Sequence, residues 1–308
     1  MSVLRNHTAG NPQKEDVIWT DLSCTEIQER MEGQGTTTSR HVVKNLLKKN
    51  KYKKRKIIRR TVTNKTSDRN IQFDNIGKLK KEYSAKGNPV ISCDTKKKEF
   101  IGNLFRAGTA YSQVEMTSYD HDFPHLAEGT VIPYGIYDIF KNSAHIHIGT
   151  SCDTSDFATD SIKAWWMNKG KQDYPNATSI LVLVDGGGSN SSRTYVFKEA
   201  LQRLVDEMGI EIRIAHYPPY TSKWNPIEHR LFPHISRAMA GVLLRSYEQA
   251  KALIEKTKTK TGLTVTASIA TRVYAYGKKV AEDFRATMKL IFDEYLPRWN
   301  YRAVPGTT

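Results

Sequence analysis

The 308 residues are 39% hydrophobic, 26% charged and 10% aromatic, too apolar for general disorder and too polar for burial in a membrane. No run approaches the ~18 apolar residues of a spanning helix, and Met1 to Asp16 lacks the apolar core of a signal peptide. Cys24, Cys93 and Cys152 form no C-x-x-C pair, which argues against a disulfide framework and a structural zinc site and fits a reducing cytoplasm.

The length exceeds that of one ordinary domain, so two are expected. A net charge of +15 points to a polyanionic partner. Residues 1 to 89 hold 20 Lys and Arg against 9 Asp and Glu, so the basic character is concentrated there. It peaks in HVVKNLLKKNKYKKRKIIRR (His41 to Arg60), where ten basic residues occur without an acid, as a phosphate-tracking surface requires. A solvated linker is the plainer alternative.

In chain order, Ser23 with Glu26 reads as a capping box, and Leu22 can staple onto Ile27, so a helix is expected from Cys24 to about Glu32, stopped by Gly33 and Gly35. Thr38 or Ser39 can cap a second helix with Val42, Val43, Leu46 and Leu47 on one face. Helix, Gly turn and basic helix read as a helix-turn-helix whose Thr37, Ser39, Arg40, His41 and Lys44 would reach base edges. Lys48, Lys49, Lys53, Lys54 and Arg55 would continue onto phosphates. A plain αα-hairpin is the alternative. Ile71, Phe73, Ile76 and Leu79 are spaced for an amphipathic linker helix. PVISCD from Pro89, GNLFRAGTAYS and DIFKNSAHIHIG then suggest a meander of three strands.

Beyond Ser155 the expected elements alternate: helix from Phe157 to Asn168, strand from Ser179 to Asp185, helix from Thr194 to Met208, strand from Ile210 to Ala215, helix from Asn225 to Leu244. Alternation implies crossover units and parallel pairing, with ILVLV (Ile180 to Val184) suited to a strand covered on both faces. TKTKT (Thr257 to Thr261) reads as a solvated helix end. The expected domains are 1–62, a helix-turn-helix module with a basic tail; 63–88, a linker helix; 89–245, an α/β catalytic domain; and 246–308, its extension.

Three acids stand at telling places. Asp94 ends the first strand, Asp185 ends the central strand, and Glu228 lies in the first turn of the last helix. Strand ends on one edge of an α/β sheet converge, and clustered carboxylates repel unless cations neutralise them; Mg²⁺ prefers such oxygen ligands. Each acid also has a structural explanation: Asp185 can open the Gly186-Gly187-Gly188 turn, and Glu228 can complete a capping box begun by Asn225.

Several blocks resemble the signatures of DDE transposases: CDTKKKEFIGN (Cys93 to Asn103), HDFP (His121 to Pro124), IPYGIYD (Ile132 to Asp138), LVDGGGSNSSR (Leu183 to Arg193) and HYPPYTSKWNPIEHRLFPHIS (His216 to Ser236). Their order is similar to the Rhodopirellula-type insertion-sequence branch, and the similarity continues through TKTGLTV (Thr259 to Val265) and WNY (Trp299 to Tyr301). The resemblance implies an RNase H-like mixed sheet flanked by helices, with Asp94, Asp185 and Glu228 as a metal-binding triad for two Mg²⁺ ions, Mn²⁺ being a substitute. It further implies a bacterial cytoplasmic, nucleoid-associated protein acting on double-stranded DNA, both the terminal inverted repeats and the target, with a homodimer as one open assembly and no membrane. Family members usually carry a further DNA-binding stretch before the helix-turn-helix, so the chain reads as a shortened copy. The alternatives are a nuclease of the same fold without strand transfer and an inactive copy that only binds DNA.

Lys96, Lys97 and Lys98 are candidates for holding DNA phosphates beside Asp94. Lys223 and Trp224 flank the last block, Trp224 placed to stack on a base or to pack the active-site helix. The Gly186 to Gly188 turn suits close backbone approach to DNA better than a dinucleotide fingerprint. His145 and His147 share a strand face but lack a visible third zinc ligand, which favours a structural role. Of Trp165 and Trp166, adjacent on a helix, at most one is expected to face the core fully.

Overall fold

The computed structural model describes residues 3–4, 8–11, 14–55, 68–121 and 123–306, with backbone alone for 8–11 and 14–18. Residues 56–60 of the basic run, residues 61–67 and Asp122 of the HDFP block lie outside the described residues. The chain divides into two compact units, 1–61 and 62–308.

The first unit opens with an antiparallel pair, β1 (Thr8–Asn11) and β2 (Lys14–Thr20), which the sequence reading did not anticipate. In α1 (Cys24–Gly33) the capping box forms: Ser23 Oγ accepts from Glu26 N, and Ser23 N donates to Glu26 Oε2 at 2.7 Å. Gly35, at φ +80°, turns the chain, and Ser39 caps α2 (Arg40–Lys49) by accepting from Val42 N. Leu4, Ile27 and Val43 form a small core, with Leu22, Met31, Leu47 and Tyr52 packed on it. The expected common face splits. Val43 and Leu47 turn inward, whereas Val42 and Leu46 are 45% and 40% exposed, because residues four apart align on a helix while neighbours diverge by about 100°.

The second unit is a nine-stranded mixed sheet. Strand β3 (Val90–Thr95) pairs antiparallel with β5 (Gly129–Asp138), and β5 with β6 (Ser143–Gly149). On its other side β3 pairs parallel with β7 (Ser179–Val184), and β7 with β8 (Glu211–His216). Three antiparallel strands followed by two parallel ones, in the spatial order β6-β5-β3-β7-β8, is the RNase H-like arrangement. A short β4 (Glu99–Ile101) pairs with β5.

The C-terminal part widens the sheet at both edges. Strand β9 (Thr264–Ile269) adds parallel to β6, while β11 (Asn300–Ala303) pairs antiparallel with β8 and carries β10 (Leu290–Phe292) outside it. Helices α4 (Ser155–Trp165) and α6 (Tyr195–Met208) cover one face through Phe157, Ile162, Phe197 and Leu201. The other face is covered by α3 (Arg69–Ala85) and by α7 (Pro226–Arg230), α8 (Phe232–Ala238) and α9 (Tyr247–Glu255). Every residue of β7 is buried, as a strand sandwiched between helix layers requires.

Four expectations change. The middle strand of the meander is β5, not 102–112, which is irregular; β5 is buried along nearly its whole length and so shows no alternation for a sequence pattern to catch. Helix α3 is part of the second unit rather than a free linker, since Ile76, Leu79 and Tyr83 pack with Val90, Leu181 and Leu183. The last helix breaks at Leu231 into α7 and α8, with Pro233 in the first turn of α8. Both Trp165 and Trp166 are buried in the same core cluster, packed against Gly170 at the end of a π-helical turn over Trp166–Gly170 that leads into the short α5 (Lys171–Asp173).

Candidate active site

The β3–β7 register aligns Cys93 with Val184. The next residues, Asp94 and Asp185, therefore leave neighbouring parallel strands at the same sheet edge, where strands run about 4.8 Å apart. Chain leaving β8 at that edge passes Pro218 and Pro219, makes a single turn over Ser222–Trp224 and enters α7, whose first turn carries Glu228.

Helix α7 is moored to β3 by a buried polar joint. Ser92 Oγ accepts from Ile227 N at 3.1 Å and donates to Asn225 Oδ1 at 2.5 Å, and Asn225 Nδ2 donates to Cys93 O at 3.3 Å. Asn225 makes no side-chain cap on its own helix; a hydroxyl from the strand does that work. Glu228 completes no capping box either. Its carboxyl stands close enough to that of Asp94 to raise it, so the acid of the helix faces the acid of the strand.

Electrostatics follow from the crowding. Burial, then the charge of Asp185, pushes the Asp94 carboxyl up to about 8, with Glu228 adding to the effect and Thr95 N, 2.8 Å from Asp94 Oδ1, opposing it. Asp185 is also raised, by burial, against a hydrogen bond from Gly187 N. Such a set disfavours its own ionisation and favours any cation that relieves it. All its donor atoms are carboxylate oxygens, which fit a hard divalent ion. Among the described residues no three His, Cys, Asp or Glu side chains are drawn together closely enough to coordinate an ion as they stand.

The glycine turn after Asp185 is held from behind. Tyr134 OH donates to Asn190 Oδ1 at 2.8 Å, and Ser155 Oγ donates to Ser189 O at 2.9 Å. A Cβ on Gly187 would meet nothing within 4 Å, so the chain's own packing does not demand glycine there, and the outer side is open to approach. Beside the turn a cleft of about 480 Å³ is lined by Lys98, Asp153, Gly188, Tyr276 and Lys278 among others.

Of the other residues singled out from sequence, Lys97, Lys98 and Lys223 are exposed. Lys96 is buried against Glu99 at 2.5 Å, with Arg106 on the other carboxylate oxygen, which removes its ammonium from the group free to meet phosphate. Trp224 is 56% exposed and sets an edge against Phe73 of α3. Ser39, Arg40, His41, Lys44, Lys48, Lys49, Lys53, Lys54 and Arg55 all sit exposed in the first unit. His145 and His147 are satisfied inside the sheet: His145 Nε2 and His147 Nδ1 both meet Ser268 Oγ, at 2.8 and 2.7 Å. Ser92 was missed because nothing local distinguishes one serine in a strand. Asn225 carried a signal, its place before Pro226, that pointed to a cap rather than a strand contact.

Residues 1–305 match the family model described as Rhodopirellula transposase DDE domain. No curated protein matches the chain. Similar solved structures include the Mos1 transposase paired-end complex with left transposon end, 15% identical, covering 80% of this chain and 72% of that one at TM-score 0.43. The Mos1 mariner paired end complex with Mn has the same identity and coverages at TM-score 0.42. The Mos1 Strand Transfer Complex is 16% identical over the same shares, also at 0.42.

Proposed function

The chain belongs to the Rhodopirellula transposase DDE-domain family, and from that premise we propose that it cuts and rejoins phosphodiester bonds at the ends of an insertion sequence in the bacterial cytoplasm. The observation that carries this reading is that Asp94 and Asp185 leave neighbouring strands at one sheet edge, with both Asp185 and Glu228 near enough to Asp94 to raise its carboxyl. Asp94 and Asp185 together, and Glu228 beside them, would hold a pair of Mg²⁺ or Mn²⁺ ions. When bound, such ions activate the attacking oxygen and stabilise the leaving one.

The protein's own part is to place these carboxylates and leave room for the strand. No side chain acts as nucleophile. Water forms the first bond to phosphorus and the P–O3′ bond breaks; the freed 3′-hydroxyl then attacks a target phosphorus and displaces its 3′-oxygen. The exposed basic residues of α2 and the segment after it would bind duplex DNA, Arg40 and Lys44 toward base edges and Lys53, Lys54 and Arg55 toward phosphates, together with Lys97, Lys98, Lys223 and Trp224 of the second unit. A homodimer is supported by large apolar side chains exposed in the segment after β4, among them Phe105, Tyr111 and Val114; light scattering would show a mass twice that of the chain.

Asp94→Asn, Asp185→Asn and Glu228→Gln each keep shape and remove one charge. Each is expected to lower Mg²⁺-dependent cleavage by orders of magnitude while DNA binding holds or rises. Robust cleavage by Glu228→Gln, or cleavage undiminished by EDTA, overturns the assignment. Recovery of joined product separates a transposase from a nuclease of the same fold, and binding without cleavage in the unmutated chain marks a protein that only binds DNA.

A further inference from the structure

We propose that His216 is a positioning residue for Asp185, keyed by Tyr301 of the C-terminal strand. The inference rests on the metal-binding role assigned to Asp185 above.

His216 ends β8 opposite Val184 and is fully buried. Its Nδ1 lies 3.1 Å from the backbone oxygen of Asp185 and its Nε2 3.0 Å from the hydroxyl of Tyr301. A carbonyl oxygen can only accept, so Nδ1 carries the hydrogen. Nε2 is then left to accept from the tyrosine, and a single tautomer results. Burial holds the ring well below its ordinary value, at about 4, in keeping with the neutral form that this bonding requires.

The need for this contact comes from where Asp185 stands. The ladder between β7 and β8 ends with Tyr217 N donating to Val184 O at 2.8 Å. The next carbonyl, that of Asp185, is met by the imidazole, which extends the grip on β7 by one residue. Gly186, Gly187 and Gly188 follow, the segment least able to stiffen a preceding residue. A carboxylate that must hold an ion in one orientation is therefore backed on one side by freely rotating backbone and on the other by His216.

His216 itself is fixed from the far side. Its N donates to Trp299 O at 2.8 Å, and its carbonyl accepts from Gln72 Nε2 at 2.9 Å. Gln72 and Asn300, both fully buried, exchange amide hydrogen bonds of 2.9 and 2.8 Å. The strand carrying Tyr301 and the helix carrying Gln72 thus converge on one residue, the first on its ring and the second on its carbonyl, and its imidazole hands their rigidity to the metal-binding strand.

The test measures Mn²⁺ affinity by electron paramagnetic resonance and the Mg²⁺ half-saturation of cleavage, on the full chain, for His216→Leu, His216→Asn, Tyr301→Phe and Asp185→Asn. An asparagine amide nitrogen superposes on Nδ1 and keeps the donor to Asp185. His216→Leu should weaken Mn²⁺ binding and raise the Mg²⁺ half-saturation roughly tenfold or more, the scale on which supports of metal ligands act, with metal-free DNA binding unchanged. His216→Asn should recover most of that loss, and Tyr301→Phe should show a smaller shift of the same sign. Unchanged Mn²⁺ affinity in His216→Leu, or equal impairment in the Leu and Asn variants, overturns the positioning role alone. Should the Leu variant not fold, Tyr301→Phe decides: wild-type affinity there overturns the role. Wild-type protein that binds no Mn²⁺, or binds it unchanged after Asp185→Asn, overturns the metal assignment and the positioning role with it.

Discussion

The hydroxyl of Ser92 takes a hydrogen bond from Ile227 N and gives one to Asn225 Oδ1, so one small side chain sets the distance between the strand bearing Asp94 and the helix bearing Glu228. Ser92→Ala leaves both partners buried without it, at a cost of about 1–3 kcal/mol. Calorimetry should show that loss, and cleavage should fall further than stability alone explains; full activity at reduced stability would confine Ser92 to packing. A second residue-level expectation concerns His145 and His147, each held by burial at about 4 against an unfolded value of 6.5. Below 6.5 the unfolded chain takes up protons that the folded one refuses, so their share of stability is whole above that pH and drains as pH falls toward 4. Melting temperatures at pH 7.5 and 5 should therefore diverge less in His145→Gln/His147→Gln than in the unmutated chain. Asp94, raised to about 8, has the opposite sign in this window, but it is present in both proteins and cancels from the comparison.

At the scale of elements, two consecutive tryptophans are buried where the π-helical turn over Trp166–Gly170 begins, and Gly170 is what makes room. A Cβ there would stand 2.7 Å from Trp166 Cε3 and 3.0 Å from Trp165 Cη2. Gly170→Ala should lower stability by about 1–3 kcal/mol as the rings are forced aside, read as a shifted denaturation midpoint; an unchanged midpoint would mean that the rings yield freely. In α2 and the segment after it, the bases of specificity and affinity are expected to separate. Arg40→Ala or Lys44→Ala should relax preference for element ends, by about 1–3 kcal/mol for a good bidentate base contact, whereas Lys53→Ala or Lys54→Ala should weaken all duplexes alike. Equal losses on specific and random duplex for all four would place every contact on the backbone.

For the molecule as a whole, basic residues are denser in the first unit, where residues 1–61 carry 14 Lys and Arg against 6 Asp and Glu, than in the unit that begins at residue 62, which carries 33 against 26 and holds Asp94, Asp185 and Glu228. Removing residues 1–61 should abolish most DNA affinity while leaving a folded second unit by circular dichroism. If about five phosphates are contacted, log affinity of the full chain against log salt should slope near −5, at roughly −0.9 per contact. A flat salt response would refute the phosphate-tracking role of the basic run.

What the sequence determined by itself was whatever local chemistry encodes. Ser23 with Glu26 and Ser39 before Arg40 marked helix starts, ILVLV marked a strand covered on both faces, and Asp94 and Asp185 were legible as acids at strand ends. The order of strands and helices implied crossover units, because parallel pairing needs them, while the RNase H-like sheet was what the resemblance of the signature blocks implied. Tertiary structure decided what depends on partners far along the chain. Strand β5 shows no alternation because helices bury both its faces, while residues 102–112 alternate yet form no strand. The added strands β9 and β11 gain their places only by pairing with β6 and β8. Ser92 meets Asn225 across 133 residues and His216 meets Tyr301 across 85. Helix and strand periods are written in neighbouring residues, but a hydrogen bond between distant segments exists only once strand register has fixed which atoms face each other.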